Sequence, residues 1–172
     1  MKTVQHNSIY IILIVIIQTI IANFIYAGAY ITISLLPFIL LMLPMQWSTA
    51  RVLVISVLVS LPVDVFAEGV IGLNMASLLP AALVREWMIR IFTAGGQRER
   101  EGTVSSDWLG RGRMIIFISV ILIVFLALYV IIECSGTRSA VFILSKTAVS
   151  YAVNMAIYML LWQAVLKPSK TK

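Results

Sequence analysis

Asp64 and Glu68 stand four residues apart in an otherwise apolar stretch that ends at Gly69, Gly72 and Asn74. On a helix that spacing puts both carboxylates on one face. An ionised carboxylate in the middle of a bilayer costs about 2.5–3.5 kcal/mol on insertion scales, so such a residue calls for a role. One role is a shared proton or cation site. The other is a hydrated turn at the membrane edge, where the glycines permit tight backbone geometry or close helix approach.

Other reactive groups are few. Cys134 is the single cysteine and His6 the single histidine, so the sequence offers neither an internal disulfide nor a His/Cys metal set. There is no His-Glu-x-x-His, Gly-x-Ser-x-Gly, Walker loop or Cys-x-x-Cys. These absences lead us to expect no enzyme, no cofactor and no metal. Lys146 reads as a lysine snorkelling from a helix end. Ala148, Ala152 and Ala156 recur every four residues and form a small-residue ridge suited to helix contact, internal or with a partner. Gln18, Asn23 and Asn154 are polar residues in apolar blocks, where interhelical hydrogen bonding is the expected use.

The elements that must position these groups are membrane helices. Of 172 residues, 61% are hydrophobic and 12% charged. A soluble domain is nearer half apolar and a quarter charged. Apolar blocks run over 9–26, 30–45, 52–66, 70–84, 114–132 and 141–166, with Pro37, Pro62 and Pro80 inside three of them. Each approaches the ~20 residues that a spanning helix needs. The first block is long for a signal-peptide core and no Ala-x-Ala-like cleavage site follows closely, so it reads as a retained span. The sequence therefore predicts an all-α, polytopic membrane bundle of about six transmembrane helices, with residues 1–172 as one integral membrane domain. Blocks 52–66 and 70–84 are short, which leaves four spans plus a re-entrant pair open.

The net charge of +6 has a topological explanation. For six spans, Lys2, Arg51, Lys167, Lys170, Lys172 and the arginines at 85, 90, 98, 100, 111 and 113 share one side, eleven of the 13 basic residues. Arg138 and Lys146 lie on the other, beside Asp64, Glu68 and Glu133. The positive-inside rule then puts both termini in the cytoplasm. The bilayer is the expected partner of this charge, and nucleic acid is not. Ser105, Ser106 or Asp107 is the expected cap of the fifth helix.

The stretch Asp64-x4-Gly69-x2-Gly72-Leu73-Asn74, continued by Ala76-Ser77-Leu78-Leu79 and Arg85, resembles the rod shape-determining MreD family. Pro62, Pro80 and the long arginine loop are not matched to it. The resemblance implies a non-catalytic scaffold of cell-wall elongation in the bacterial cytoplasmic membrane. It implies association with a single-span MreC-like protein and, indirectly, with MreB, RodA and a penicillin-binding transpeptidase. It also implies a fold similar to the substrate-binding subunits of energy-coupling factor transporters. A vitamin-binding transport subunit is accordingly the alternative function. Such a subunit needs an outer pocket with several polar groups, for which Asp64, Glu68, Asn74 and Glu133 are the available supply.

Overall fold

A computed structural model describes residues 2–24, 28–92 and 110–163, with side chains described throughout except at 2–8 and 111. These residues form six α-helices and no strand. They are α1 (Lys2–Phe24), α2 (Leu36–Met42), α3 (Thr49–Val63), α4 (Leu73–Phe92), α5 (Arg111–Cys134) and α6 (Ala140–Leu161). The arginine-rich residues 93–109, with the expected caps at Ser105, Ser106 and Asp107, and the basic tail lie outside the described residues.

Among the described residues, three segments are long and apolar enough to cross a membrane: Thr49–Glu68, Gly112–Cys134 and Ala140–Leu161. The exterior matches, because Ile12, Ile16, Ile20, Leu58, Ile123 and Leu144 all expose large apolar side chains. Continuous apolar surface on that scale has no place in water. Within α1, Ile9–Phe24 is a shorter apolar stretch. α4 has 20 residues, yet it carries Arg85, Glu86 and Arg90.

Local sequence sets the helix ends. Pro62 removes a backbone donor inside α3. The chain then widens into one π turn, Asp64–Glu68, which Gly69 ends in the left-handed region at φ 67°. Ser135 (φ 41°) and Gly136 (φ 73°) close α5 in the same way. Ser139 then caps α6, its Oγ accepting from the Phe142 N–H at 3.3 Å. The short turn makes α5 and α6 an antiparallel hairpin, tied by a 2.9 Å bond from the Tyr151 hydroxyl to Ser119 Oγ. α5 is the central helix, packing on α4 and α6.

The block 30–45 departs from the expected single helix. Only Leu36–Met42 is helical, with Pro37 in its first turn, where the missing N–H costs nothing. Residues 31–35 are non-helical. All seven residues of α2 are buried. A buried helix this short leaves carbonyls unsatisfied at its C-terminal end. Arg85 supplies them. Its Nε donates to the Leu40 carbonyl at 2.6 Å, and its Nη2 to those of Leu43 at 2.7 Å and Pro44 at 3.3 Å. Its Nη1 meets Glu86 Oε1 at 3.1 Å. Arg85 thus leaves the set of loop charges to which the sequence assigned it: its side chain is 0% exposed. The cation also sits at the negative end of the α2 dipole.

Removing this guanidinium takes the donor from several buried carbonyls and breaks its ion pair with Glu86. Arg85→Ala should therefore cost about 3–5 kcal/mol, the range for breaking a buried ion pair. Arg85→Lys should recover only part, because an ammonium lacks the planar fork that spans Leu40 and Leu43. Unfolding midpoints of the purified proteins in detergent measure this. Equal midpoints for Arg85→Ala and wild type would refute the capping role.

Candidate functional site

Asp64 lies in the π turn, fully buried, with its carboxylate aimed at the start of α4. Oδ1 accepts from the backbone N–H of Asn74 at 2.8 Å and from its Nδ2 at 2.9 Å. Oδ2 accepts from the N–H of Gly72 at 3.0 Å and of Met75 at 3.3 Å. The first N–H groups of a helix have no partner within it, and its positive end favours an anion. Asp64 therefore caps α4 from outside that helix, and Asn74 completes the cap. This corrects the expectation of a hydrated edge carboxylate.

Gly72 adopts φ 101°, which L side chains rarely accept, and a Cβ built there meets nothing within 4 Å. Its contribution is backbone conformation, since no neighbour crowds it. Gly69 likewise has a positive φ and open space. Glu68 turns to a different partner from Asp64, its Oε1 accepting from the Tyr129 hydroxyl at 2.9 Å.

Glu68 and Tyr129 belong to a cavity of about 530 Å³. It lies between the C-terminal part of α1, residues 28–33, the π turn, the end of α5 and the start of α6. Its polar groups come chiefly from Thr32, Glu68, Tyr129, Glu133, Arg138 and Lys146. Lys146 Nζ donates to both carboxylate oxygens of Glu133, at 2.7 and 2.6 Å. The lysine side chain is 9% exposed, so it is paired within the bundle and does not snorkel as expected. Arg138 lies over the Phe142 ring at 5.3 Å. Cys134 lines the same cavity as a buried free thiol.

Lys146 heads a polar row with Ser150, Asn154 and Tyr158, spaced four apart on the buried face of α6. This row holds the non-helical segment. Thr32 N–H donates to Ser150 Oγ at 2.9 Å, and Ser34 N–H to Asn154 Oδ1 at 2.8 Å. Asn154 Nδ2 donates to the Thr32 carbonyl at 2.6 Å, and the Tyr158 hydroxyl to that of Ser34 at 2.7 Å. From α1, Gln18 Oε1 accepts from Leu35 N–H at 2.7 Å. Asn23 Nδ2 donates to the Phe66 carbonyl at 3.0 Å, joining α1 to the π turn. Ala148, Ala152 and Ala156 lie on a different face of α6, exposed.

Asp64, Gly72 and Asn74 form one structural cluster, whereas Glu68 and Glu133 enter the cavity. Tyr129, Arg138 and Lys146 were not singled out as its lining. The available signal was their i,i+4 relation to Glu133 on α5 and to Phe142 and Ser150 on the hairpin's second arm. Among the described residues, no group of three His, Cys, Asp or Glu side chains could hold a metal. Comparison with protein-family models, curated proteins and solved structures gave no match to this chain.

The open space at Gly72 gives a distinguishing prediction. If only φ matters, Gly72→Ala and Gly72→Leu should cost about the same, roughly 1–2 kcal/mol each. The check is the unfolding midpoint of each variant. A much larger loss for Leu than for Ala would restore close helix approach as the reason for this glycine.

Proposed function

We propose that the chain is a non-catalytic membrane scaffold of bacterial cell-wall elongation, similar to the MreD family. It would help to maintain rod shape with an MreC-like single-span partner and, through it, MreB filaments, RodA and a penicillin-binding transpeptidase. The observation that carries this reading is the fate of the residues behind the resemblance. Asp64, Gly72 and Asn74 fix the π turn to α4, and Arg85 fixes α4 to α2. The pattern is thus a set of bundle joints, as a protein that works by shape requires.

The proposed topology is six crossings of the cytoplasmic membrane with both termini cytoplasmic. The second crossing consists of the extended segment and α2. One cavity gathers residues 28–33, Glu68 and Glu133–Arg138, which this topology assigns to the same outer side. With the buried Arg85 and Lys146 both removed from the loop count, ten basic residues (eleven less one) still face one.

The partner surface we assign is the exposed alanine ridge of α6, whose small side chains allow a single helix to approach closely. Because Ala152 is exposed, Ala152→Leu should leave the membrane level and the unfolding midpoint of the protein unchanged. It should abolish co-purification with MreC and rescue of rod shape in depleted cells. Undiminished co-purification would remove this surface.

The cavity favours a second reading, a substrate-binding subunit of an energy-coupling factor type transporter. Loss of uptake of one vitamin on deletion, with cell shape unaffected, would replace the scaffold reading by this one.

A further inference from the structure

The cavity has a charge arrangement that the scaffold role leaves unused. Its carboxylates are Glu68 and Glu133, and its cations are Lys146 and Arg138. Lys146 and Glu133 neutralise one another in a two-pronged pair and form a fixed wall. Glu68 and Arg138 remain. Tyr129 engages only Oε1 of Glu68. Arg138 faces the Phe142 ring and forms no ion pair among the described residues. One carboxylate and one cation with capacity to spare therefore face the same net-neutral space. Ile21, Ile31 and Phe142 add apolar wall beside them. The volume of about 530 Å³ lies within the range of small-molecule pockets.

The side walls matter as well. α1 packs on α2, α3 and the π turn, and the extended segment separates it from the α5–α6 hairpin. Irregular backbone at membrane depth is tolerated where it is buried or lines a polar cavity. Here it does both, with Ser34 and Leu35 buried and Ile31, Thr32 and Ile33 lining the space.

We infer that this cavity binds a zwitterion carrying a primary ammonium and a phosphate, the headgroup chemistry of phosphatidylethanolamine. The ammonium donates to Glu68, and the phosphate accepts from the Arg138 guanidinium. The apolar wall takes the glycerol and the start of the acyl chains. A quaternary ammonium has no N–H to donate, and an anionic glycerol headgroup has no ammonium, so both lipids are discriminated against.

The test is lipid binding by the full chain in detergent, followed by native mass spectrometry with phosphatidylethanolamine, phosphatidylcholine and phosphatidylglycerol at equal concentration. Phosphatidylethanolamine should bind preferentially. Glu68→Gln and Arg138→Gln should each weaken it by roughly tenfold, the loss of one charge-assisted hydrogen bond. Arg51→Gln removes an exposed charge elsewhere and should have no effect. Both cavity variants alter exposed or half-exposed side chains, and an unchanged unfolding midpoint confirms that they fold. Glycerophosphoethanolamine, which has the headgroup without chains, separates the sources. Competition at lipid-like concentrations assigns a soluble ligand of this chemistry, and no competition assigns the lipid. Equal binding of the three lipids, or undiminished binding by both variants, overturns the inference. Neither result bears on MreC association, so this site and the scaffold reading fail independently.

Discussion

Backbone polar groups inside an apolar bundle must find partners, because lipid offers none. That constraint is most severe where the chain stops being helical, and in this protein it does so near the centre. Residues 31–35 run without helical hydrogen bonds into a seven-residue buried helix. Polar side chains from three helices answer to this. Gln18 from α1 and Ser150, Asn154 and Tyr158 from α6 hold the extended segment. Arg85 from α4 holds the far end of α2. Three long helices are thereby fixed around one short buried helix by bonds to its end and to the extended segment before it.

The same device is used once more at the π turn. Pro62 and the turn release the chain from helical order, and Asp64 collects the N–H groups at the start of α4. An anion sits at a helix N-terminus and a cation at a helix C-terminus, each supported by the dipole there. With α1 set apart from the α5–α6 hairpin by the extended segment, space remains between them. The cavity and its charged lining follow from this arrangement. The polar face of α6 turns inward, and its alanine ridge is left on the outside.

Much of the fold is legible in the sequence. Apolar blocks locate the long helices, and Gly69, Ser135–Gly136 and Ser139 mark ends that turn chemistry explains. The block 30–45 misleads because an apolar run looks alike as a helix or as buried extended chain. What separates the two here is a set of partners about 120 residues away in sequence. Arg85 reads as a loop cation because arginine at the end of an apolar block is ordinary. Only the tertiary position of α2 makes it a buried cap. Asp64, Gly72 and Asn74 are legible as a pattern, yet the pattern does not state whether the carboxylate faces water or backbone. On α6, alanines and polar residues recur with the same period. Composition alone cannot say which row faces the interior.

Side chains from α1 and α6 satisfy the extended segment's backbone. Amide hydrogen exchange resolved at Thr32, Ser34 and Leu35, in wild type and in Asn154→Val, tests it most directly. Protection at all three amides should be comparable to that of α2. In the variant, Ser34 should lose protection while Leu35, held by Gln18, keeps it longer. Free exchange of these amides in the wild-type protein, or unchanged protection of Ser34 in the variant, would contradict it.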